Sequence, residues 1–177
     1  LGTLKGKKIA YVDFNSTSGY IYPRNAMIKQ GINPESYFAS SIMAGGATQA
    51  VLAMTNGQVD GAMINVSAGT PETGFQTGTH VTLARRGLVD LKDIRFVWTA
   101  GPMHNSPYVI RTDRPKAFVD VMRGALAMLP YENPEAWGET GQAPGNDFTV
   151  AGRENYEDVI AIRSDDISQR RKGENSK

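Results

Sequence analysis

Cysteine is absent from the chain, which removes disulfides, thiolate metal ligands and cysteine nucleophiles together. Histidine is scarce. His80 and His104 are the 2 present, far apart and outside any ligand-spaced cluster, so no metal site is expected. Neither sign of charge is in excess: 19 Lys and Arg against 18 Asp and Glu leave a net charge of +1. That balance gives no bulk electrostatic attraction to nucleic acid or to an anionic membrane surface. No apolar run reaches the length of a transmembrane helix, and Leu1–Lys5 carries no apolar signal-peptide core. No Gly-x-Gly-x-x-Gly stretch and no nucleophile–base pair is visible, so no cofactor is expected. What remains is a chain of 177 residues, 40% hydrophobic, enough for one large domain or two small ones with a real core.

The most informative stretch is Asp13-Phe14-Asn15-Ser16-Thr17-Ser18-Gly19-Tyr20. An apolar run, Ile9 to Val12, precedes it and predicts a short buried strand. Behind it, helical spacing from about Ser18 to Gln30 puts Tyr20, Met27 and Ile28 on one side and Arg24, Asn25 and Lys29 on the other, with Arg24 facing solvent. Pro23 falls early in that helix, and Gly31 is placed to end it. The first N–H groups of a helix have no intrahelical partner and carry the positive end of its dipole. Three hydroxyls and a glycine at that point suit a tetrahedral oxyanion. Hydroxyl residues before a helix also serve as plain caps, so the turn by itself leaves both readings open.

The arrangement then repeats. Asn33–Ser36 reads as a turn and Tyr37–Met43 as a second strand. Gly45-Gly46-Ala47-Thr48 turns into an apolar helix (Ala50 to Met54) that Asn56-Gly57 ends, and Val59–Ile64 is a third strand. Two successive strand–loop–helix units predict a parallel sheet with right-handed crossovers. In such sheets ligands bind beyond the carboxyl ends of the strands, where both loops lie. Val66–Thr79 reads as a Gly/Thr/Ser/Pro loop, and His80–Arg86 as a short helix closed by Gly87, with His80 a surface or helix-end residue. Ile94–Thr99 and Tyr108–Ile110 read as further strands around the polar loop Ala100–Pro107. A helix is expected over about Arg114 to Leu129, capped by Asp113, with Phe118, Val121, Met122, Ala125, Leu126 and Leu129 as its buried stripe. Pro130–Asn146 shows no period. In it, Trp137 is expected to pack on the core. Phe148–Val150 is a short strand or extended contact. A last helix begins at Asn155 and fades near Ser168 into a polar tail, Gln169–Lys177.

Several segments together resemble one family. They are Leu4–Asp13 with Asn15–Tyr20, Gly45-Gly46, Ala50–Ala53, Asn56–Ala62, Val97-Trp98, Asn105–Arg111, Phe148 and Asn155–Glu157. In order and spacing they resemble the phosphate/phosphite/phosphonate-binding proteins of bacterial ABC importers. The resemblance implies an α/β, type II periplasmic-binding-protein-like fold, a parallel-rich sheet with helices on both faces. Residues 1–103 would form lobe two and 104–177 the returning part of lobe one. It also implies that the first part of lobe one has no counterpart here, which would leave a sizeable apolar patch exposed.

By the same resemblance, Ser16, Thr17 and Ser18 would hold the ligand oxygens, with Gly19 allowing close approach and Tyr20 alongside. Gly46, Ala47 and Thr48 would face it from the second loop, and Asn105 and Ser106 from the crossing segment. Two positions depart from the family pattern: Ala47 stands where a His is common, and Ser106 where an acid is common. The implied function is a non-enzymatic solute-binding protein, periplasmic or lipid-anchored. It would pass a small phosphorus oxyanion to an ABC permease, without nucleic acid, metal or cofactor. The alternatives are an α/β enzyme using Asp13 and Asp60 as acids, and a sensor module of the same fold.

Overall fold

The computed structural model describes residues 1–139 and 147–174. Strand β1 (Lys8–Tyr11) leads through a π-helical turn, Thr17–Ile21, into α1 (Tyr22–Lys29). A single-turn helix α2 (Pro34–Tyr37) and strand β2 (Ser40–Met43) follow. Next come α3 (Ala47–Thr55), β3 (Gly61–Ala62), β4 (Val66–Thr70), β5 (Gly74–Gly78) and α4 (Thr79–Arg85). Three α-helices follow, α5 (Lys116–Glu132), α6 (Pro134–Glu139) and α7 (Glu157–Glu174), with short 3-10 turns at Leu91–Asp93 and Arg153–Tyr156. The residues cluster into two compact units, one of Leu1–Pro102 with α7, the other Met103–Tyr156.

In the first unit β1 is the centre of a three-stranded parallel sheet ordered β2-β1-β3. Alternation along β1 explains why both faces are covered. Ile9 and Tyr11 point to one side and pack with Met27, Phe38 and Met63. Ala10 points to the other and packs with Ala50, Ala53 and Val59. Small side chains on the second face let α3 approach closely. Ile9 and Met27 are fully buried, and each such side chain contributes roughly 1.5–3 kcal/mol. The mixed α/β fold with a parallel sheet between helices is thus as expected. Gly31, Gly57 and Gly87 end α1, α3 and α4 at φ +74, +73 and +69.

Several elements differ from the expectation. Val66–Thr79 is not a loop: β4 and β5 form an antiparallel hairpin in which Val66 faces Gly78 and Thr70 faces Gly74. Asn33–Ser36 is not a plain turn, because Asn33 Oδ1 accepts the Glu35 N–H at 3.0 Å and caps α2. β2 and β3 are shorter than expected. Ile94–Thr99, Tyr108–Ile110 and Phe148–Val150 form no strand, since no described strand lies alongside to complete a ladder. α7 does not fade at Ser168 but continues to Glu174. The last 3 residues of the expected tail, 175–177, lie outside the described residues, as does 140–146 of the aperiodic region.

In the second unit, Pro115 rather than Asp113 occupies the α5 cap position. Asp113 is taken instead by Arg111 at 3.0 Å. The stripe expected to be buried on α5 is largely exposed: Phe118, Val121 and Met122 are exposed, Ala125 with them, and Leu126 and Leu129 are half-buried. The helical period is present, but no described residue packs against that face closely enough to bury it. Trp137 is the buried anchor of this unit, its ring edge-on to Phe148 at 4.9 Å, with Tyr108 on Phe148 at 4.9 Å.

Candidate functional site

The chain leaving β1 laps back on itself, the Val12 N–H reaching Gly19 O at 3.2 Å. Inside that lap Asp13 holds two backbone groups. Its Oδ1 accepts the Asn15 N–H at 2.8 Å and its carbonyl accepts the Ser16 N–H at 3.0 Å, an Asx turn. Ser16 is the N-cap, its Oγ accepting the Gly19 N–H at 3.0 Å. Ile21 and Tyr22 donate to Ser16 O and Thr17 O. This five-residue spacing widens the first turn. Among the described residues the N–H groups of Thr17 and Ser18 donate to no protein acceptor. Thr17 and Ser18 are half-buried, so these amides and the two hydroxyls sit at a partly covered mouth.

Gly19 itself is buried, and a Cβ there would lie 2.3 Å from Val12 Cγ2. Packing of the turn against β1 therefore requires the glycine, and its N–H is already spent on Ser16. Beneath the mouth Tyr20 stands edge-on between Tyr11 and Phe14, at 5.1 and 5.5 Å. Burial pushes the Tyr11 hydroxyl up to about 12, with smaller contributions from Tyr20 and Glu35. That hydroxyl has no hydrogen-bond partner among the described residues.

The second loop lies directly beside the first. Ala44 and Gly45 donate to Tyr11 O and Val12 O at 2.8 and 2.9 Å, so the exits of β1 and β2 are zipped together. Gly45 makes the turn at φ +84, a conformation that L side chains disfavour. Gly46 then caps α3 without a side chain. The N–H groups of Ala47, Thr48 and Gln49 form the open helix start. Gln49 reaches back over Gly46, where a Cβ would lie 2.3 Å from its Oε1. Gly46, Ala47, Thr48 and Ser16–Tyr20 thus gather at one edge of the sheet. Asn105 and Ser106 belong to the second unit, where both are exposed and Tyr156 donates to Asn105 O at 2.9 Å.

Arg24 does not face solvent freely. Its Nε and Nη2 both donate to Glu35 Oε1, at 2.9 and 2.6 Å. Burial pulls the guanidinium pKa down, but the Glu35 hydrogen bond and charge outweigh it and the net shift is upward. Cations from elsewhere reach the loop: Arg163 Nη1 donates to Asn15 O at 3.1 Å, and Arg170 donates to Asn15 Oδ1 at 3.3 Å and to Phe14 O. Gln49 and these two arginines escaped sequence reasoning. Gln49 was legible as the third residue of a helix whose cap has no side chain, whereas nothing near Arg163 or Arg170 in sequence points to Asn15.

The candidate acids are both engaged by backbone. Asp13 closes its Asx turn, and Asp60 Oδ2 accepts the Lys8 N–H at 2.8 Å while the Asp60 N–H returns to Lys8 O, fixing β3 against β1. His80 lies at a helix start but is buried rather than superficial, its Nε2 3.1 Å from Phe75 O. Among the described residues no group of three or more His, Asp or Glu side chains is placed to hold a metal ion, and no helix is long and apolar enough to cross a membrane.

Comparison with known proteins follows the same lines. The family model for the periplasmic phosphonate substrate-binding protein of ABC transporters matches residues 1–158. The chain is similar to a phosphate-import protein, PhnD, of Mycolicibacterium smegmatis, with 25% identity over 147 residues. The matched region is 80% of this chain and 42% of that protein, so the chain spans less than half the length of the curated relative it matches.

Proposed function

The chain belongs to the periplasmic phosphonate substrate-binding family of ABC transporters, a transport component rather than an enzyme, and from that premise we propose that it captures a phosphorus oxyanion at the mouth of the Ser16–Tyr20 turn. One observation carries the reading: the N–H groups of Thr17 and Ser18 have no acceptor among the described residues, and they open beside the start of α3. Backbone N–H groups are well suited to an anion, because a charge-assisted hydrogen bond contributes about 1.5–3 kcal/mol net. The hydroxyls of Thr17, Ser18 and Thr48 add donors without adding charge. Gly19 and Ser16 shape the turn, and Tyr20 walls it.

Phosphonate, phosphite and phosphate are the ligand classes proposed, the last supported by the phosphate-import relative. Ala47 supplies no imidazole to this edge and Ser106 supplies no carboxylate. A carboxylate would accept from a protonated ligand oxygen and repel a fully ionised one, so its lack relaxes discrimination between phosphate and phosphonates. Closure of two lobes over the ligand, with residues 1–103 as lobe two and 104–177 as the returning part of lobe one, belongs to the same proposal. So do Asn105 and Ser106 as ligand contacts, an ABC permease as partner and a periplasmic or lipid-anchored location.

The test is a thermal-shift and calorimetric screen of the full-length protein with phosphate, phosphite, methylphosphonate, aminoethylphosphonate and sulfate. Saturating binding of at least one phosphorus oxyanion is expected, and Thr17→Val with Ser18→Ala should weaken it by about tenfold. Silence with every phosphorus ligand overturns the reading.

A further inference from the structure

The loop in front of the turn has a structural problem. Phe14 and Asn15 are exposed and immediately precede the turn proposed to receive an anion. An uncovered carbonyl there repels negative charge, and the two residues have no burial to hold them still.

Helix α7 supplies the remedy. Its half-buried positions Arg163, Asp166 and Arg170 recur at three and four residues, one face of the helix, with buried Ile162 beside them. Arg163 donates to Asn15 O, Arg170 donates to Phe14 O and Asn15 Oδ1, and Asp166 Oδ2 forms an ion pair with Arg170 Nε at 2.9 Å, holding the guanidinium in place. The peptide planes that these arginines engage carry the Asn15 and Ser16 N–H groups on their other side. Those N–H groups donate to Asp13 Oδ1 and Asp13 O. Hydrogen bonds in such a chain polarise and strengthen one another.

We propose that Arg163 and Arg170 are positioning residues for the oxyanion site: they mask the Phe14 and Asn15 carbonyls, tighten the Asp13–Ser16 turn and so fix the donors of Thr17 and Ser18. The proposal rests on the ligand reading above for its effect on affinity, though not for its effect on the loop. Both arginines lie beyond residues 1–158, the part matched by the family, so the clamp is a property of this chain's own C-terminal helix.

The experiment uses the full-length protein, an Arg163→Ala/Arg170→Ala pair and an Arg163→Lys/Arg170→Lys pair. Amide hydrogen exchange is read without ligand, and phosphate and methylphosphonate affinities are read by calorimetry. The alanine pair should exchange at least about tenfold faster at the turn's bonded amides, Asn15, Ser16 and Gly19, with β1 amides Ile9–Tyr11 unchanged. Affinity for whichever probe the wild type binds should fall about tenfold. The lysine pair keeps the charge and can still donate to the two carbonyls, so it should recover most of both losses. Unchanged exchange at Asn15, Ser16 and Gly19, or an equal rise throughout β1 and α1, overturns the clamp. Unchanged affinity beside faster exchange overturns its role in the site. If the wild type binds none of the probes, the ligand reading fails and the exchange data still decide the clamp.

Discussion

His80 shows how much one buried group can say. Its ring is edge-on to Phe96 at 5.0 Å, its Nε2 is 3.1 Å from Phe75 O, and its Nδ1 is buried with no partner among the described residues. The neutral tautomer with hydrogen on Nε2 fits this site, whereas a second proton would sit on Nδ1 with nothing to receive it. Burial therefore lowers the pKa from 6.5, against a smaller opposing effect of the Phe75 carbonyl. A folded-state pKa below the unfolded one contributes stability that is complete above about 6.5 and is lost as pH falls through the folded value. The thermal midpoint should thus fall between about pH 7 and pH 5. His80→Gln, which keeps a donor for Phe75 O but does not titrate, should be less stable at neutral pH and flatter across that window. Identical slopes by circular dichroism would remove His80 as the cause. The sequence suggested a helix-end position for this residue but could not show its burial, because Phe75 and Phe96 come to it from segments whose placement depends on the hairpin. The Ser16–Gly19 turn is the opposite case. Its capping hydroxyl and its glycine are local, so both were readable from neighbours alone.

At the scale of elements, what was legible had a period of its own. β1, α1, α3 and α4 announce themselves by apolar spacing and by the glycines that end them. The β4–β5 hairpin does not, because its strands, Val-Ser-Ala-Gly-Thr and Gly-Phe-Gln-Thr-Gly, carry few large apolar residues. Its usable signal was the turn chemistry between them: Pro71 as the first of three loop residues, then Gly74 at φ +78. The hairpin is sewn by close backbone approach. Gly69 sits at φ +150, and a Cβ there would lie 2.0 Å from the Gly74 carbonyl oxygen. Gly69→Ala should therefore open the hairpin at a cost of about 2 kcal/mol or more, lowering the thermal midpoint by roughly 4–8 °C. Gln76→Ala, an exposed position on the partner strand, should leave the midpoint within about 1 °C. Equal midpoints for Gly69→Ala and wild type would mean that the strands do not approach this closely. α7 was legible as a helix only to about Ser168. Its polar end reads as a tail yet stays helical to Glu174, and only the loop carbonyls that the helix meets give its arginines a purpose.

For the whole molecule, apolar side chains are distributed unevenly between the two units. The first buries Ile9, Ala10, Met27, Ala50 and Val51 almost completely. The second leaves Phe118, Val121, Met122 and Met128 of α5 exposed, together with Tyr108, Val109 and Ile110. Exposed apolar surface of this kind favours association where it is contiguous. The 177-residue chain by itself should accordingly bind a hydrophobic dye such as ANS and sediment with a concentration-dependent mass. Val121→Glu with Phe118→Lys should cut the dye signal at least about twofold and shift the mass toward the monomer. Its thermal midpoint should stay close to that of the parent, because polar substitutions at exposed helix positions usually change stability by no more than about 0.5 kcal/mol each. Amide exchange in the same sample should be slowest in β1 and α3 and far faster along α5, since protection follows burial. A parent chain that remains monomeric without dye binding, or a double variant that keeps the full dye signal, would place the sticky surface somewhere other than α5.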